Sequence, residues 1–151
     1  MKFLTLFATL CLCVALSSAY YSPPCDGHCA YGETSVCYHD QPAVCLGHHR
    51  VVEQVRLRIQ VTSVFIEDGI SYKSIQVEID NQSPGRITHI AIGTEYLQIK
   101  DTVSIRNVQQ VENDFILPDG QVIETGLSYT FSCTIKDIHN PSVYIKNVII
   151  V

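Results

Sequence analysis

The chain has 151 residues, with ten Lys and Arg against fifteen Asp and Glu, seven cysteines and no tryptophan. That length suits one domain with a short appendage. The signs are mixed along the chain and form no basic stripe, which argues against nucleic acid and against an anionic membrane surface as partners.

Residues 1–19 read as a secretory leader. Lys2 gives a positive start, Phe3 to Leu16 an apolar core, and Ser17-Ser18-Ala19 the small residues of a cleavage site. The apolar run is too short for a membrane anchor. Without the leader, nine basic side chains face fifteen acidic ones, a net charge of −6. A secreted protein is expected.

Residues 20–49 form a Cys-rich head. Cys11 and Cys13 leave with the leader, so Cys25, Cys29, Cys37 and Cys45 cluster here and Cys133 stands apart. His28, His39, His48 and His49 lie among them and raise the question of zinc. The spacing lacks the paired short loops of zinc ribbons. An oxidising compartment also favours disulfides, so two bridges and no metal are expected, with the pairing left open. With three glycines and Pro23, Pro24 and Pro42, the head reads as loop-rich.

From residue 50 the texture is that of strands. Val55, Leu57, Ile59 and Val61 alternate with Arg56, Arg58, Gln60 and Thr62, the period of a half-buried strand. Glu67-Asp68-Gly69 separates two apolar runs, a hairpin signal. Ile75, Val77 and Ile79 then alternate with Gln76, Glu78 and Asp80. Further short runs follow at Ile87–Ile92, Tyr96–Ile99, Val103–Val108 and Phe115–Leu117. Leu127, Tyr129, Phe131, Cys133 and Ile135 give the clearest alternation, and Val143–Val151 closes the chain. Seven or eight short strands with turns between them predict an all-β fold, an antiparallel β-sandwich over 50–151, preceded by the disulfide-rich loop segment.

Nucleophile motifs, zinc-protease motifs and phosphate loops are missing from the sequence. Glu67, Asp68 and Asp119 sit in turns, where solvated acids are common, and the two acids Glu67 and Asp68 are weak evidence for a calcium site. The expectation is a non-enzymatic chain without cofactors. Cys133 follows the apolar phase of its strand and is expected as a buried, unpaired thiol. Asn81-Gln82-Ser83 is a glycosylation sequon in a turn, which marks Asn81 as an expected exposed acceptor. Tyr72 lies out of phase with Ile75, Val77 and Ile79 and is expected to point outward, where an aromatic ring can stack on a sugar face.

Several stretches resemble carbohydrate-binding module family 49. They are Ser63 to Tyr72, Val77 to Asn81, Asn107 to Val111, Phe115-Ile116-Leu117-Pro118 and Gly126 to Phe131. Their order is kept from about Val55 to Val151, and the head lies outside the resemblance. The family is a cellulose-binding β-sandwich, found at the ends of plant cellulases and in small secreted proteins of social amoebae. Where it carries Trp, this chain has Phe65, Gln109 and Asp119. The resemblance implies a secreted wall or matrix protein that binds cellulose or a related β-glucan without cutting it. The implied binding surface is Phe65 and Tyr72, with Gln109 as a polar neighbour; Tyr96 is added as an aromatic near a loop. Two other roles fit a sandwich of this kind, a structural matrix protein that meets other matrix proteins and a signalling or adhesion ligand.

Overall fold

The computed structural model describes residues 29–39, 41–137 and 141–151. The expected leader and Cys25 lie outside them. The fold is an all-β sandwich of two sheets, one of six strands and one of three.

The three-stranded sheet is built on β3 (Val55–Glu67), β4 (Ile70–Asn81) and β8 (Ser128–Lys136), all antiparallel. The β3–β4 hairpin closes on Asp68 and Gly69, at φ 49° and 75°. Two successive left-handed residues match the twist of the flanking strands. The runs before and within the hairpin are one continuous strand. Its register shifts between Val61 and Ser63, and the Thr62 hydroxyl donates to the Ser74 carbonyl at 3.1 Å. This bulge changes which residues face the core. Before it, Val55 and Leu57 point inward with Ile79; after it, Phe65 pairs with the outward Tyr72. A bulge re-aims side chains because one extra residue reverses the two-residue alternation.

The six-stranded sheet runs β2 (Val44–Gly47), β1 (Glu33–Tyr38), β9 (Tyr144–Ile150), β5 (Ile87–Gly93), β7 (Asp114–Ile116), β6 (Gln109–Val111). A single-turn helix, α1 (His48–Val51), follows β2. The two sheets enclose one core that includes Ile75, Val77, Ile79, Ile90, Ile92 and Val148.

Two features depart from the sequence reading. The head is not only loop: β1 and β2 belong to the larger sheet, and Val36 is a core residue. The head also adds a parallel pairing, β1 with β9, to a sandwich whose pairings within residues 50–151 are all antiparallel as expected. Parallel neighbours lie far apart in the chain, so no local turn signal announces them. The runs at Tyr96–Ile99 and Val103–Val108 form no named strands. They follow β8 through isolated bridges at Ile99–Ile135 and Arg106–Ser132, interrupted by a 3₁₀ turn at Thr102–Ser104.

Cys29 and Cys45 are joined by a disulfide, and Cys37 is also disulfide-bonded. Cys133 is free and 2% exposed, and burial pushes its thiol up to about 12. Thiolate is the reactive form, so the folded protein keeps Cys133 inert. Alkylation of native protein at pH 8 should leave Cys133 unmodified over hours, and denaturant should make it react within minutes. Rapid native labelling would show that the two sheets part readily at β8.

Candidate functional site

Two aromatic surfaces stand out. The first lies on the solvent face of the three-stranded sheet. Phe65 and Tyr72 are cross-strand partners, with ring centroids 5.8 Å apart and planes 27° from parallel. Phe65 is exposed and Tyr72 half-buried. Lys100 holds its ammonium 5.6 Å from the Phe65 centroid and 5.1 Å from that of Tyr72. The same ammonium is bonded to Glu67, which raises its pKa. A cation held against ring faces fixes their orientation. Further along the same face lie Gln60 opposite Gln76, and Arg58 bound to both Glu78 and Asp80. The Ser128 hydroxyl donates to Asp80 and, with Arg58, holds that carboxyl below its usual range. The face is thus a row of hydrogen-bonding groups with an aromatic pair at one end.

The second surface is a cleft of about 450 Å³ where the head meets β9. Its walls include Tyr31, Glu33, His48, Tyr96, Tyr144 and Lys146. A tight turn carries Tyr31: the Glu33 amide donates to the Ala30 carbonyl at 3.0 Å, and the Ala30 amide donates to the Glu33 carboxylate at 3.2 Å. The Cys29–Cys45 bond anchors this turn to β2. The hydroxyls of Tyr31 and Tyr96 meet at 3.4 Å, and the Tyr96 ring lies 6.3 Å from that of Tyr144. At the floor, the Thr34 hydroxyl donates to the Ile145 carbonyl at 2.6 Å. Gly93 seats the Tyr144 ring: a Cβ there would lie 2.6 Å from the ring's Cζ.

Lys146 is bonded to Glu95 and, at 2.6 Å, to Asp114. Burial alone would lower its pKa, but the two carboxylates outweigh it and raise it. Burial likewise opposes the charge on Glu95, and the bond to Lys146 overrides it, holding that carboxyl below its usual range. The pair is therefore intact at neutral pH and is lost as acid protonates Glu95 or strong base deprotonates Lys146. One cation between two carboxylates leaves no positive charge to attract an anion.

The structure divides the residues expected to act together. Phe65 and Tyr72 meet on the small sheet, Tyr96 lines the cleft, and Gln109 opens β6 at the edge of the large sheet, in the other layer. Tyr31, Tyr144 and Lys146 are cleft residues that sequence reasoning missed. The signal available was Gly93, a glycine at the end of an apolar strand, where a missing side chain lets another group approach closely. The sulfurs of Cys29 and Cys45 lie within 4.8 Å of a Glu33 carboxylate oxygen, but both are spent in the disulfide rather than offered as thiolates.

Asn81, expected as an exposed acceptor, is buried. It is 1% exposed, and its Nδ2 donates to the carbonyls of Gly85 at 2.9 Å and Ile123 at 2.8 Å. Its Oδ1 accepts from the amide and hydroxyl of Ser83. A glycan on Nδ2 would displace the turn it holds, because sequon and turn use the same amide.

No protein-family model matches this chain, and no curated protein sequence matches it. Two crystal structures of a GH20 exo β-N-acetylglucosaminidase from Vibrio harveyi, one of an inactive mutant and one in complex with N-acetylglucosamine, are similar to it. Each match has 14% identity and a TM-score of 0.46, and covers 65% of this chain but 18% of the enzyme's. The resemblance to module family 49 therefore rests on its motifs.

Two measurements check the role of Asn81. Peptide-N-glycosidase treatment of the protein expressed through a secretory pathway should leave its mass unchanged. Asn81→Ala should destabilise the fold by roughly 2–4 kcal/mol, since it strands buried carbonyls and the Ser83 donors. A mass loss of glycan size at Asn81 would contradict the buried geometry.

Proposed function

We propose that this chain is a secreted, non-catalytic carbohydrate-binding protein whose ligand is a β-linked glucan such as cellulose. The observation that carries the reading is the Phe65–Tyr72 pair, set by a bulge on the solvent face of the three-stranded sheet. A pyranose presents an apolar C–H face and a rim of hydroxyls. Neighbouring rings match the first, and Gln60, Gln76 and Glu78 along the same face match the second. Neutral sugars also suit a face whose Arg58 and Lys100 are already paired with carboxylates.

Affinity on this reading is modest. A ring-to-ring contact contributes roughly 0.5–1.5 kcal/mol beyond its burial. Association costs on the order of 4 kcal/mol or more in lost freedom. Several copies on one polymer would compensate through multivalency.

A second reading has its own observation. On the opposite face of the hairpin Val64 is 58% and Ile66 75% exposed. Apolar side chains displayed near a hairpin tip suit a protein partner in a matrix.

Retention on amorphous cellulose separates the two. Phe65→Ala and Tyr72→Ala should each weaken binding about 3- to 10-fold with the melting temperature near wild type, by the stacking energies above. Val64→Ser and Ile66→Ser should leave it unchanged. If wild type is retained by no polysaccharide in a broad panel, the carbohydrate reading fails and the matrix-protein reading replaces it.

A further inference from the structure

The cleft between head and β9 is a second site, distinct from the sheet face and outside the segments that resemble the carbohydrate-binding family. Its volume of about 450 Å³ falls in the range of roughly 300–1,000 Å³ usual for small-molecule sites. Its chemistry narrows the ligand. Three tyrosines supply ring faces and hydroxyls, and Glu33 supplies an acceptor. Lys146, the cation in the wall, is already held between Glu95 and Asp114, so an anionic ligand gains little. Tyr31 is 97% and Tyr96 54% exposed, yet the two meet hydroxyl to hydroxyl across the mouth. Large rings kept in water by a stapled turn are poor packing and good binding surface.

We infer that this cleft binds a short neutral oligosaccharide of one or two pyranose rings, stacked on Tyr96 and Tyr144 and capped by Tyr31. This deepens the carbohydrate reading and rests on it, but uses different residues. The sheet face takes the flank of a long chain, whereas a concave cleft open at its mouth takes a chain end or a free oligomer. The disulfide makes the site conditional. Cys29–Cys45 holds the turn that carries Tyr31, so its loss releases one wall while the three-stranded sheet keeps its own ladder.

The test is a titration with cellobiose and cellotetraose, read by intrinsic fluorescence. The chain has no tryptophan, so the signal comes from tyrosine alone. Wild type should show a saturable change. Tyr96→Ala and the double variant Cys29→Ser/Cys45→Ser should weaken it at least 10-fold, with retention on amorphous cellulose unchanged. Phe65→Ala should show the reverse pattern. Tyr96→Phe, which keeps the ring and removes the Tyr31 contact, should give a smaller loss and covers the case in which the cysteine variant does not fold. Wild type that is retained on cellulose but gives no saturable change with either oligomer overturns the cleft and leaves the sheet-face reading standing. Saturation by tetramethylammonium in place of sugar, or full oligomer binding by Tyr96→Ala, also overturns it. Failure of wild type to bind either polymer or oligomer removes both readings together.

Discussion

The edge-to-face contact of Phe115 and Phe131 holds the two layers of this molecule in register. Their centroids are 5.4 Å apart and their planes 76° from parallel, and both are fully buried. Phe115 comes from β7 of the large sheet and Phe131 from the centre of β8 in the small one. The small sheet is apolar on its inner side and largely polar on its outer one, whereas β1 of the large sheet is buried on both faces from Thr34 to Cys37. Aromatic rings of this size fill most of the gap between packed sheets, so their removal would leave a cavity that aliphatic neighbours cannot close. Ile75, Val77 and Ile79 line the same gap from β4, and Ile90, Ile92 and Val148 from the other layer.

The small sheet was legible because its information is local. The period-two runs from Val55, Ile75 and Leu127, and the Asp68-Gly69 turn, state both face and register within a few residues. Phe131, Cys133 and Ile135 are buried as their phase required, although Leu127, the first residue of that series, is exposed just before β8 begins. The large sheet was less legible. β6 and β7 have three residues each, too few for a period to emerge. β1 and β2 were masked by the cysteines, prolines and glycines around them, which read as loop. The converse error arose at Val103–Val108, where an apolar run follows β8 without a continuous ladder.

The candidate surfaces divide along the same line. Phe65 and Tyr72 flank one hairpin, so their proximity follows from the turn; only the bulge at Thr62, which decides that Phe65 faces outward, was not marked. Tyr31, Tyr96 and Tyr144 come from the head, a loop and the last strand. Their meeting depends on the parallel β1–β9 pairing, and nothing local to any of the three encodes it. Asn81 shows the opposite hazard. A three-residue motif named it correctly as a turn asparagine, and the same turn consumes the amide that the motif would expose.

The two aromatic surfaces owe their order to different bonds. The Phe65–Tyr72 pair is fixed by an antiparallel ladder of twelve paired positions between β3 and β4, interrupted by one bulge. That order persists while the strands are paired and depends on no covalent link. The cleft's outer wall is a short segment before β1, and four residues of β2 are all that flank β1 on its far side. A ladder so short resists fraying poorly, since edge strands open first. The Cys29–Cys45 bond closes this segment on itself and removes that freedom, with a loop separation of 16 residues that places its contribution at about 3 kcal/mol in the chain-entropy view. Position in the chain thus decides which surface answers to hydrogen bonds alone and which answers to the redox state of its surroundings.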